Sequence, residues 1–139
     1  MKQISFAYAA GIIDGEGCIQ IQKRKSGGYR MLVLISNTDG RMIDWFIDNF
    51  GGRKKNHLIG HKKWKNCWEW IIYGRNAGKF LEKIYPYLVI KKEQADLAIL
   101  YCNTLTQGGQ KVVTKSIMKT RIDYYAKLKL VRCSNFAPT

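Results

Sequence analysis

Apolar and polar positions divide the chain into stretches of helical period and stretches of period two. From Phe6 to Gly17 the residues are apolar or small, with Ala7, Ala10, Gly11 and Asp14 at helical spacing on one face, and the run closes on Gly15-Glu16-Gly17. The period then falls to two. Cys18, Gln20, Gln22 and Arg24 alternate with Ile19 and Ile21, as on a half-buried strand. Ser26-Gly27-Gly28 predicts a hairpin turn, and Tyr29 to Asn37 a returning strand whose middle, Met31 to Ile35, is apolar on both faces. Asn37-Thr38-Asp39 predicts a helix start, with Asp39 or Thr38 as the cap. Met42, Ile43, Phe46, Ile47 and Phe50 follow at helical spacing up to a stop at Gly51-Gly52.

A second hairpin is predicted from Arg53 to Ile59 and from Trp64 to Tyr73, about a turn at Gly60 to Lys63. Its latter strand places Trp64, Asn66, Trp68, Trp70 and Ile72 on one side, and Lys65, Cys67, Glu69 and Ile71 on the other. Helical spacing returns from Asn76 to Pro86, from Lys92 to Leu105 and, after the polar loop Gln107 to Gln110, around Ile117 to Val131. Helices alternating with antiparallel hairpins imply an α+β domain, with helices on one face of a four-stranded sheet. We expect one domain over 1–139, a core over about 6–105 and a helical extension over about 106–139. The other sheet face then meets solvent or a ligand.

Charge narrows the choice of ligand. Lys and Arg number 24 against 10 Asp and Glu, a formal charge of +14, which points to nucleic acid as partner. An anionic membrane is the weaker reading, because no segment is long and apolar enough to span a bilayer and the charge is not gathered on one amphipathic helix. The start of the chain imitates a signal peptide only faintly. Cys18, Cys67, Cys102 and Cys133 are scattered without a paired motif, which argues against a zinc site or disulfide framework and for a reducing, intracellular compartment.

With the Ile and Trp sides of the strands buried, the open face carries Gln20, Gln22, Arg24, Arg30, Arg53, Lys55, His57, Lys65 and Glu69. Cations there suit phosphates. Gln, Arg and Glu also suit base edges, which a purely electrostatic face does not need. Glu16 is expected beside main-chain carbonyls freed at a glycine-terminated helix end, a hard all-oxygen setting for Mg²⁺ or Ca²⁺.

At Ala9 to Gly17 the sequence resembles the nine-residue motif of the LAGLIDADG homing endonucleases, with Ala9 in place of the leading Leu and Glu16 as the second acidic residue. The resemblance covers roughly Phe6 to Leu105 in the order αββαββα. It implies a DNA-cleaving centre in which Asn37 and Arg41, near the start of the second helix, and Lys91, after the Tyr-Pro turn, accompany Glu16. A single motif implies a homodimer packed through the small face of Ala7, Ala10, Gly11 and Asp14, and hence a partly palindromic double-stranded DNA site. It further implies Mg²⁺ held by Glu16 and the Gly15 carbonyl, with Ca²⁺ or Mn²⁺ able to substitute. Two rival readings stand beside it: an inactive relative serving as intron RNA maturase or DNA-binding regulator, and a general basic RNA- or membrane-surface protein.

Overall fold

The computed structural model describes residues 3–57, 67–105 and 114–135. The chain runs α1 (Gln3–Glu16), β1 (Gly17–Lys23), β2 (Tyr29–Asn37), α2 (Gly40–Phe50), β3 (Arg53–His57), β4 (Cys67–Tyr73), α3 (Gly74–Ile84), a 3₁₀ turn (Tyr85–Tyr87), α4 (Lys92–Cys102) and α5 (Lys115–Asn135). The strands form one antiparallel sheet in the order β1-β2-β4-β3, so the two hairpins lie side by side with β2 and β4 central. The expected turn at Gly60 to Lys63, the side chain of His57, all of Lys65 and the loop Gln107 to Gln110 lie outside the described residues.

Register decides which side chains face the helices. Ile19, Val33 and Ile72 form one row across β1, β2 and β4, Ile21 lies opposite Met31, and Ile35 opposite Trp70; all of these are buried. Above them the rings of Phe46, Phe50, Trp70 and Phe80 interlock, with Phe50 and Phe80 edge to face at 4.7 Å and Phe46 4.8 Å from Trp70. Trp70 also donates its indole N–H to the Gly51 carbonyl at 2.7 Å. Gly52 has φ +92°, and a Cβ there would lie 2.7 Å from the Ile71 carbonyl, so the close of α2 requires glycine.

Asp39 is the cap of α2, accepting the Arg41 backbone N–H at 2.9 Å. The last helix belongs to the fold. Leu128 of α5 is buried in the core, Tyr125 meets Tyr29 at 5.1 Å between ring centres, and the Arg121 guanidinium donates to the Thr104 hydroxyl and carbonyl. No helix among the described residues is long and apolar enough to cross a membrane.

Candidate functional site

The end of α1 brings together segments far apart in the chain. Asp14 lies at the border of the packed side. One carboxylate oxygen accepts the Val89 N–H at 2.8 Å, and the other accepts Ile90 N–H at 3.2 Å and Lys91 N–H at 3.0 Å. This clasp ties the segment before α4 to α1. The Lys91 ammonium then donates to the carbonyls of Ile13 and Asp14 at 2.8 and 2.9 Å, capping groups that the helix end leaves unpaired. Burial pushes the Lys91 pKa down, against the attraction of Asp14.

Glu16 has a different environment. It is exposed, and one carboxylate oxygen accepts the Asn37 amide N–H at 3.1 Å. Asn37 is itself fixed, because its side-chain carbonyl accepts the Asp39 N–H at 2.8 Å. Lys91 and Asn37 therefore both reach the foot of α1, and Lys91 occupies two of the carbonyls expected to be open. Arg41 makes no hydrogen bond to Glu16. Its guanidinium is held by Asp39 at 2.7 Å, and hydrogen bonds from Arg41 bring the Asp39 pKa down to about 2.

The glycines differ from expectation. Neither Gly15 nor Gly17 has positive φ. Gly15 stays within α1, and Gly17 is required for space, since a Cβ there would lie 2.8 Å from the Ile13 Cα. A Cβ at Gly11 or Gly15 meets nothing within 4 Å. The small face is also divided. Ala10 is fully buried in the chain's own core and Asp14 is bound to residues 89–91, because α1 turns the side of Ala9, Ala10 and Ile13 toward the sheet. The exposed stripe is instead Ala7, Tyr8, Gly11 and Gly15.

On the open sheet face, register sets Gln22 opposite Arg30, aligns Gln20 with Leu32 and Tyr73, and aligns Ser36, Glu69 and Lys55. Leu32 and Ile71 are buried within it, so the face is a polar frame around an apolar middle. Arg30 stacks over the Tyr73 ring at 4.4 Å and donates to Gln22, Gln22 donates to Gln20 at 3.0 Å, and Gln20 contacts the Cys18 sulfur at 2.9 Å. Arg24 lies in the turn after β1, and Arg53 and Lys55 are exposed on the edge strand β3.

No protein-family model matches the chain. Reverse gyrase of Thermococcus kodakarensis is 34% identical over 94 residues, which is 66% of this chain and 5% of the gyrase. DNA endonuclease I-CvuI of Chlorella vulgaris is 29% identical over 108 residues, 70% of this chain. The match spans 63% of I-CvuI's length. Among solved structures, I-CvuI with its target in the presence of Ca superposes with a TM-score of 0.72 at 24% identity, covering 93% of this chain and 82% of that one. An archaeal intron-encoded homing endonuclease complexed with DNA gives 0.74 at 16%, covering 94% and 86%. The LAGLIDADG meganuclease I-AabMI bound to uncleaved DNA gives 0.70 at 21%, covering 90% and 44%.

The chain has the LAGLIDADG homing-endonuclease fold. The likeness at Ala9 to Gly17 thus extends through the sheet and its helices. Within this LAGLIDADG fold, sequence reasoning missed Asp39 as the holder of Arg41, although two residues of separation at a helix start is a readable signal. It also missed Arg132, whose guanidinium donates to the Cys18 sulfur at 3.1 Å from 114 positions away; no local pattern announces that contact.

Proposed function

We propose that this chain is a site-specific double-strand DNA endonuclease of the homing type, acting as a homodimer with a divalent metal. The observation that carries the proposal is the exposed Glu16 carboxylate, held by Asn37 at the foot of α1 where β1 leads onto the polar sheet face. DNA lying on that face would bring phosphates to Glu16. An unneutralised carboxylate would repel them, so a cation is needed.

The donors fit a hard cation. The Glu16 carboxylate would be one oxygen donor and the Gly15 carbonyl the other, and no group of three His, Cys, Asp or Glu among the described residues could hold a metal ion. Mg²⁺, which keeps several waters and binds phosphate oxygens, suits such an open site better than an all-protein shell. When bound, it would supply activation of water and charge neutralisation at the phosphate. I-CvuI has been solved with its target in the presence of Ca and with uncleaved DNA in the presence of Mg, and the use of divalent ions with that protein supports a divalent ion here.

The chain's own groups have separable tasks. Asn37 orients Glu16. Asp14 and Lys91 fix the end of α1 and so the direction in which Glu16 leaves it. Arg41, 91% exposed and paired with Asp39, would offset negative charge near the cleaved phosphate once it exchanges that partner for the phosphate. Self-association is supported by Gly11 and Gly15, whose smallness serves no contact among the described residues but lets a second α1 approach closely.

The test is selection of cleaved molecules from a randomised duplex library, in Mg²⁺ and again in EDTA. We expect one long, nearly symmetric site cut only with Mg²⁺. Enrichment by binding with no cut would transfer the chain to a regulatory or maturase role.

A further inference from the structure

A groove of about 370 Å³ runs between β1 and α5, lined by Gln20, Gln22, Lys23, Lys129 and Arg132 around the apolar wall of Leu128. No carboxylate lines it, and neither Lys23 nor Lys129 has an acidic partner among the described residues. Arg132 donates to a thiol, a weak acceptor, so its guanidinium retains its capacity for a stronger one. The groove continues into a depression at the β1–β2 turn, lined by Lys23, Arg24, Lys25 and Arg30.

We infer that this groove is a phosphate track, which takes the DNA backbone flanking the base pairs presented to the sheet. The inference rests on the nuclease reading and assigns α5 a part in it. Four observations carry it. The cations lie on rigid elements, because Leu128 is buried and Tyr125 is pinned against Tyr29. Lys129 and Arg132 are three residues apart and lie on one helical face. Gln20 and Gln22 belong both to the groove and to the open face, so the two surfaces are continuous. The length also suits a backbone. From Cys18, where Arg132 attaches, to Arg24 just past the strand the chain spans about 20 Å, the axial rise of about six base-pair steps.

Backbone contacts of this kind appear as salt dependence. A fluorescein-labelled 30-base-pair duplex of arbitrary sequence would be titrated with wild type, with K129Q/R132Q, and with R75Q/K79Q, whose exposed cations lie on α3 in the helical layer. Thermal melts followed by circular dichroism establish that each variant is folded. We expect the slope of log K against log salt to become shallower by about 3.6 for the dimer of K129Q/R132Q, the loss of two phosphate contacts in each protomer, and to stay unchanged in R75Q/K79Q. An unchanged slope in folded K129Q/R132Q, while wild type binds with a steep one, overturns the track and leaves the nuclease reading intact. Absence of salt-dependent duplex binding by wild type overturns both. If an RNA hairpin binds more tightly than the duplex through the same two residues, the assignment to DNA is overturned.

Discussion

Asp14 and Glu16 are separated by one residue at the end of α1, and the fold treats them oppositely. Both oxygens of Asp14 accept backbone N–H groups of residues 89–91, which leaves it committed to the fold. Glu16 gives one oxygen to Asn37 and is otherwise exposed. Two acids of similar chemistry thus become a clasp and a candidate ligand because the helix turns one toward its own chain and the other outward. The same division runs through the glycines, with Gly17 filled around by Ile13 and Gly11 and Gly15 open.

Substitutions can break that comparison, beginning with the clasp. Asp14→Ala leaves three backbone donors without their carboxylate, and we expect a loss of about 3 kcal/mol in urea unfolding. Gly17→Ala forces a methyl group toward the Ile13 backbone and should cost about 2 kcal/mol in the same measurement. Gly15→Ala should instead stabilise the monomer by about 0.5–1 kcal/mol, because the methyl meets open space and alanine favours the helix. Sedimentation should show the same variant associating more weakly than wild type.

Asp39 sharpens the comparison from the small end. Its folded pKa of about 2 lies below the ordinary 3.8, so the stability that it supplies is present above pH 3.8 and lost as pH falls through about 2. Partial exposure to solvent keeps that contribution small. Asp39→Asn preserves the cap and removes the charge, so the acid limb of the stability profile should flatten slightly while the neutral plateau holds.

The architecture was legible because periods of two and 3.6 alternate cleanly. Trp70, Ile72, Ile19 and Ile21 fall on the buried side as their alternation requires, and Gly51-Gly52 ends α2 where a stop was read. Leu32 and Ile71 were harder, since they are buried on the open face beneath polar neighbours and no period distinguishes that from core. At the site, only the resemblance set Asn37 near Glu16, and nothing in the sequence specified a bond between them. The burial of Ala10 was not legible, because apolar and small residues are spread over every side of α1 and a helical wheel without a distinct polar face does not fix its orientation. Lys91 lies at the foot of α1. Its capping of Ile13 and Asp14 is a contact over more than seventy positions and has no signal in the sequence.

The most direct test compares wild type with Glu16→Gln on the duplex recovered by selection, measuring cleavage in Mg²⁺ and affinity in parallel, with a thermal melt of each protein. The substitution keeps the shape and an acceptor oxygen for Asn37 and removes the charge. We predict unchanged folding, affinity within a few-fold of wild type, and cleavage reduced by about 1,000-fold or more. Cleavage at the wild-type rate by the folded variant would contradict the division between Asp14 and Glu16 and remove Glu16 from the metal site.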